Sequence, residues 1–267
     1  MASTYEAPAE VRELEKRLND FSYRKGYNID QVFDDFLRYI IWAFSLDGKP
    51  IDNWKYKKEE NLFFFEMLQE WSMVMQKQIA IHSWFDAFGD LYMSCVASSG
   101  RQNGRAQFFT PPGICDLMTM ITAHKEKPHT TICSDPTCGS GRTLLAFHVR
   151  HLGYYLCAED IDQTCCMMTV CNFLIHGAVG EVIWHDSLNP DSWFYGWKVN
   201  ERLNNPLSKY NGIPHVRSIQ KEESHVWQKW QTMKMGYENK RLEALPPESI
   251  PILPLQKNQP VQLSLFD

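Results

Sequence analysis

Apolar residues recur at helical spacing from residue 9 to residue 96, and the texture changes after Pro111. Ala9–Phe21 is charged and amphipathic. Ile29–Phe44 sets Val32, Phe33, Phe36, Leu37, Ile40, Ile41 and Phe44 on one stripe behind Asp30, which suits a helix start. Asn61–Ile81 predicts a longer, aromatic-rich helix. Ser83–Val96 predicts another, with Phe85, Phe88, Leu91 and Tyr92 at helical spacing. These aromatics read as core. Ser98–Arg105 holds two glycines and no large apolar residue, which marks a loop. The expected boundary falls there, between a helical domain over 1–105 and an α/β domain over 106–244.

From Pro111 the pattern alternates. Pro111 and Pro112 open a helix reaching about His124, since proline suits an early helical position. Thr130–Ser134, Tyr154–Ala158 and Glu181–Trp184 read as strands, with Ser140–Arg150 and Gln163–His176 as the helices between them. That β-α-β-α-β order predicts an α/β fold built on a parallel sheet with crossover helices. Trp193–Val199 fits a fourth strand, Asn200–Pro214 is polar and irregular, and Ile219–Met235 reads as a helix. Prolines at 246, 247, 251, 254 and 260 predict an extended tail over 245–267.

Composition narrows the classes. The chain has 267 residues, 44% apolar, enough for one α/β domain with a smaller helical part. Its net charge is -5. Duplex binders draw most non-specific affinity from basic residues, so any DNA contact here rests on local cations or on a partner. The basic residues near the motifs are Arg101 and Arg105. Lys221, Lys229, Lys234, Lys240 and Arg241 lie near Trp227 and Trp230; lysines facing water around packed tryptophans is the commoner reading of such a helix. Eight cysteines without a C-x-x-C pair, behind a polar and charged start, predict free thiols in a reducing cytoplasm. Cysteine and histidine show no metal-ligand spacing, and no apolar run is long enough to span a membrane.

The chemistry concentrates in Asp135-Pro136-Thr137-Cys138-Gly139-Ser140-Gly141, between the first strand and its helix. Two glycines let backbone approach a ligand closely, and a helix N-terminus presents free N–H groups. A glycine turn alone is equally an ordinary tight turn. Ala158-Glu159-Asp160-Ile161-Asp162 closes the second strand and His185-Asp186-Ser187-Leu188 the third, at near-equal intervals. A carboxylate closing the second strand can accept from ribose hydroxyls, and one closing the third from an adenine amine. Each acid alone is also a helix cap; three at matching spacing argue for a nucleoside. The turn lacks the full G-x-G-x-x-G spacing of a dinucleotide site.

Together these residues resemble a known family. Gln107-Phe108-Phe109-Thr110-Pro111-Pro112 with Leu117-Met118, the Asp135–Gly141 turn, Asp160, Asn172–Gly177 and Asp186-Ser187-Leu188 are similar in order to N6-adenine DNA methyltransferases, in particular the modification subunits of type I restriction-modification systems. His185 stands where that family has glycine. The resemblance spans Gln107 to Pro190. It implies a Rossmann-like class I S-adenosylmethionine-dependent methyltransferase sheet behind an N-terminal helical domain. It implies that Thr110 and the Gly139–Gly141 backbone hold the methionine end, that Asp135 lies near its amino group, that Asp160 binds the ribose and that Asp186 binds the adenine amine. Phe109, Thr137, Ser140, Ile161, Ser187 and Leu188 complete the implied cofactor set.

The family receives a flipped adenine on an Asn-Pro-Pro-Tyr/Phe motif that this sequence lacks. Asn205-Pro206 is the nearest candidate for the catalytic position, without the second proline and the aromatic. Only 81 residues follow Asp186, too few for the remaining strands and a target-recognition region, so the expected sheet is truncated or completed by another subunit. Gln262-Leu263-Ser264-Leu265-Phe266 resembles the pentapeptide with which bacterial replication proteins bind the sliding clamp; an apolar anchor on a tether suits peptide-in-groove recognition. The leading expectation is an adenine-specific DNA methyltransferase of restriction-modification type. The alternatives are a catalytically silent cofactor-binding subunit and a clamp-binding adaptor.

Overall fold

The computed structural model describes residues 6–96, 109–122, 131–189 and 191–243. The loop expected at Ser98–Arg105, the basic Arg101 and Arg105, Gln107 and Phe108, Pro190, and the tail with Gln262, Leu263, Leu265 and Phe266 lie outside the described residues. Of the described residues, those up to Trp227 form one compact unit, and Gln228 begins a second.

The chain opens with α1 (Arg12–Lys25), α2 (Ile29–Ala43) and α3 (Lys58–His82). Gly26 ends α1 in the left-handed region, where a side chain would be strained. Asn28 caps α2 by accepting from the Asp30 backbone N–H. The two helices and α3 bury an aromatic cluster in which Phe21 stacks on Phe63 at 3.9 Å and Phe64 meets Tyr56 edge-on. The single helix expected over Ser83–Val96 is divided. Ser83 ends α3 at φ +68°, Asp86 caps the short α4 (Ala87–Leu91), and a π-turn covers Tyr92–Val96. One apolar stripe satisfies both arrangements, so spacing alone did not expose the break.

α5 (Pro112–Ile121) precedes the sheet. β1 (Ile132–Asp135), α6 (Arg142–Arg150), β2 (Tyr155–Asp160), α7 (Gln163–His176) and β3 (Gly180–His185) form the expected alternation, and the three strands are parallel. Among the described residues β1 pairs only with β2. β4 (Trp193–Val199) then returns antiparallel to β3, and β5 (Val216–Ser218) pairs antiparallel with β4. The sheet is therefore mixed, in the order β1-β2-β3-β4-β5. β4 begins too soon after His185 for a crossover, which needs a dozen or more residues, so the chain turns back as a hairpin. The segment after α2 covers the far edge: Leu46 N–H donates to the Val216 carbonyl at 2.8 Å, and Val216 N–H to the Phe44 carbonyl at 3.0 Å. α8 (His225–Glu243) closes the described chain.

One continuous apolar core runs from Val11 and Phe33 through Phe88 to Leu145, Val170 and Val216, so α1–α4 and the sheet share it. α7 joins them: it is buried on nearly every side, with Asp162 capping its start and Gly177 ending it at φ +66°. No described helix is long and apolar enough to cross a membrane, and no described cluster of His, Cys, Asp and Glu is arranged for a metal ion. The cysteines are free thiols, all but Cys133 buried.

Where α2 meets α7, Asp34 accepts from the Thr164 hydroxyl at 2.8 Å. Burial raises its pKa to about 6, opposed by the Thr164 bond and reinforced by Asp162, Asp35 and Asp30. The folded chain thus holds a proton between about pH 4 and 6 that the unfolded chain has lost. Stability from this group is full below that window and falls as pH rises through it, by up to about 3 kcal/mol. Asp34→Asn keeps an acceptor for Thr164 and removes the ionisation. Urea unfolding at pH 7 is expected to show the variant more stable by about 1–3 kcal/mol, with a flatter profile from pH 4 to 6; equal stability at pH 7 would contradict the assignment.

Candidate functional site

A parallel strand order brings the C-terminal ends of β1, β2 and β3 to one edge, so Asp135, Asp160 and Asp186 gather there. Ser187 ties the end of β3 to the first turn, its hydroxyl donating to the Pro136 carbonyl at 2.6 Å. Asp135 accepts from the Thr137 N–H at 3.1 Å. Asp160 accepts from Gly139 N–H and Asp162 N–H, both at 2.9 Å. Asp186 accepts from Leu188 N–H at 2.9 Å. Each carboxylate is oriented by backbone and keeps lone pairs for a further donor. Burial raises the pKa of Asp135 and Asp160; nearby backbone N–H groups oppose this, while Glu159 raises the first further and Asp162 and Asp135 raise the second.

The glycine turn is built tightly. Gly139 at φ +56° and Gly141 at φ +88° both lie in the left-handed region. A Cβ on Gly139 would stand 2.9 Å from the Phe109 ring, and one on Gly141 3.1 Å from Thr169. Phe109 therefore lies over the turn, with the Arg142 guanidinium 5.6 Å from its ring centre. The N–H groups of both glycines are directed inward, Gly139 to Asp160 and Gly141 to the Cys138 carbonyl at 2.8 Å. The Gly139 and Gly141 N–H groups therefore already have partners within the protein. The side chain of Ser140 is also turned inward, buried with its hydroxyl on Asp86 at 2.5 Å.

Thr110, Asp135 and Thr137 share a groove of about 500 Å³ along the outer side of β1, with Cys133, Thr143 and Phe147. Asp160 and Asp186 are not in its lining. Beside them Ile161 and Leu188 are exposed, at 54% and 95%, apolar surface that a planar ring would cover. Beneath, His185 and Glu159 form a buried pair at 2.8 Å, with His185 Nδ1 lacking a partner. Of the two, His185 stands where the resembled family has glycine.

Asn205 and Pro206 do not join this edge. β4 runs antiparallel, so its end at Val199 pairs with Gly180, the start of β3. The turns that follow lie at the other end of the sheet. Asn205 accepts from Leu207 N–H at 3.0 Å in a local turn and lines a cavity with His148, Tyr155 and Val179. Six residues of β3 separate the two ends, roughly 20 Å of strand. Asn205, expected with Pro206 at the catalytic position, thus stands at the end of the sheet opposite Asp135, Asp160 and Asp186.

Sequence reasoning missed Asp86, Arg142 and the inward role of Asn172. Arg142 Nε meets Asp86 at 2.6 Å, and Asn172 donates to Asp86 at 2.8 Å. An aspartate capping a short helix was the available signal, but its partners lie too far along the chain for spacing to reveal.

A mixed α/β domain whose parallel strands end in a glycine turn and three carboxylates defines the class. Within it, a family model for N-6 DNA methylases matches residues 84–236, more than half of the chain, and the chain belongs to that family. The match begins just before Asp86 and so takes in α4 with the sheet. Comparison with curated proteins and with solved structures gave no match.

Proposed function

We propose that this chain takes part in adenine-N6 methylation of DNA, holding S-adenosylmethionine on the edge formed by β1, β2 and β3 in the manner of a Rossmann-like methyltransferase. The observation that carries this is the polarity of the edge. Asp135, Asp160 and Asp186 present acceptors, while the Gly139 and Gly141 N–H groups are directed inward. Such an edge suits a ligand whose polar groups are donors or cations: ribose hydroxyls, an adenine amine, an ammonium group. It disfavours the pyrophosphate of a dinucleotide, which needs free N–H groups and no nearby carboxylates.

In this reading Thr110, Asp135 and Thr137 hold the methionine end, with Phe109 packed over the turn. Asp160 takes the ribose hydroxyls, with Ile161 beside the base, and Asp186, Ser187 and Leu188 form the adenine end. When bound, the cofactor supplies an electrophilic methyl group on a sulfonium. The protein's part is to place it, since positioning carries most of such a transfer. Restriction-modification is the biological setting that the resemblance suggests, in a cytoplasmic protein.

The placement of Asn205 and Pro206 favours a second reading alongside the first. With Asn205 at the opposite end of the sheet, this reading has another subunit supply the element that receives the flipped adenine. The chain alone then binds cofactor and is catalytically silent. The tail's resemblance to a clamp-binding peptide offers a separate partner through Gln262, Leu263, Leu265 and Phe266.

Tritiated S-adenosylmethionine and mixed genomic DNA test the proposal. Label in N6-methyladenine from the purified chain supports the first reading; cofactor binding without label supports the second. Asn205→Ala is expected to leave cofactor affinity within about twofold of the parent, because an exposed turn residue away from the site contributes little. A tenfold loss would return Asn205 to the site.

A further inference from the structure

We propose that Asp86 is a positioning residue for the cofactor site, acting from α4 through Ser140 and the glycine turn; this rests on the S-adenosylmethionine reading above. Asp86 is 3% exposed and carries a carboxylate with four donors. One oxygen accepts from Gly89 N–H and from Asn172 Nδ2, both at 2.8 Å. The other accepts from Ser140 Oγ at 2.5 Å and Arg142 Nε at 2.6 Å. Arg142 also reaches Asp90 at 2.7 Å, and Asn172 also holds the Ser140 carbonyl at 2.8 Å. Ser140 is thus fixed at its side chain by α4 and at its backbone by α7.

Ser140 stands between the two left-handed glycines, so fixing it fixes the turn. The next link is direct: Gly139 N–H donates to Asp160 at 2.9 Å. A chain of bonded groups therefore runs from Asp86 to Ser140, through one peptide to Gly139, and on to the carboxylate assigned to the ribose. Asp86 touches no cofactor in this arrangement. It sets where Asp160 and the Phe109-covered turn stand before the cofactor arrives, so that little of the binding free energy is lost to ordering them.

A buried carboxylate of this kind also stabilises the fold, and the test must separate the two roles. Asp86→Asn, Ser140→Ala, their double variant and Asp90→Asn are titrated with S-adenosylmethionine after cooperative unfolding has been verified for each. Asp90→Asn loosens Arg142 but leaves Ser140 and Asn172 bonded to Asp86. A positioning role predicts that Asp86→Asn raises the cofactor Kd about tenfold or more, the equivalent of one charge-assisted hydrogen bond. Asp90→Asn is expected to change it by less than about twofold, because Ser140 and Asn172 keep their bonds to Asp86. Asp86→Asn and Ser140→Ala should be non-additive, the double variant resembling the worse single one, because they lie on one path. Should Asp86→Asn not fold, Ser140→Ala carries the test, with a Kd raised about threefold or more.

Parental affinity in a folded Asp86→Asn, simple additivity with Ser140→Ala, or parental affinity in Ser140→Ala where Asp86→Asn does not fold would overturn the inference. If the unsubstituted chain itself binds no S-adenosylmethionine, the cofactor reading falls and this inference with it.

Discussion

Asp160→Asn is expected to weaken S-adenosylmethionine binding about 10- to 100-fold, or 1.5–3 kcal/mol, while the chain remains folded. The carboxylate has two tasks. Inward, it accepts from Gly139 and Asp162 N–H groups; outward, it is assigned the ribose hydroxyls. An asparagine keeps one acceptor oxygen and replaces the other with a donor, so one inward bond and the charge are lost together. The folding cost is expected to be about 1–3 kcal/mol, that of one buried N–H left without a partner. Calorimetry measures the affinity and urea unfolding the stability. Unchanged affinity with reduced stability would confine Asp160 to the inward task and remove the ribose assignment.

The largest expected effect on stability lies at Glu181. This fully buried carboxylate on β3 accepts from Ser224 Oγ at 2.8 Å, Val226 N–H at 2.9 Å, His225 N–H at 3.1 Å and Tyr155 hydroxyl at 3.2 Å. Two of these donors are orphan N–H groups of the first turn of α8, where negative charge also meets the positive end of the helix dipole. Glu181→Ala leaves several buried donors without partners and should cost about 3–5 kcal/mol. Glu181→Gln keeps one acceptor and should cost about 1–2 kcal/mol. A loss below about 1 kcal/mol for the alanine variant would mean that water or other groups replace the carboxylate. Cofactor affinity should stay near parental in both, because Glu181 is near the start of β3 and the site at its end.

Much of this architecture was legible from local signals. The ends of α7 follow from Asp162 as cap and Gly177 as left-handed stop, two residue types that state their purpose without tertiary context. The parallel β1-β2-β3 unit follows from strands separated by helices. β5 escaped because its three residues carry no periodicity, and it exists through pairing with β4 and the segment at Ser45. The direction of β4 was readable in principle from the short connection after His185.

The site divides in the same way. Asp135, Asp160 and Asp186 were readable because strand ends recur at regular intervals. The motif position of Ser140 says nothing about side-chain direction, and the structure turns its hydroxyl toward Asp86. The network of Asp86, Arg142 and Asn172 was not readable, since its partners come from α4, α6 and α7 and meet only in the folded chain. The swap of the family's glycine for His185 was visible, but its pairing with buried Glu159 was not.

Titration calorimetry of the purified chain with S-adenosylmethionine tests the central claim most directly. Saturable one-to-one binding that weakens in Asp160→Asn is the predicted result. No heat of binding at any concentration within the range of the method, from a chain that unfolds cooperatively, would contradict it.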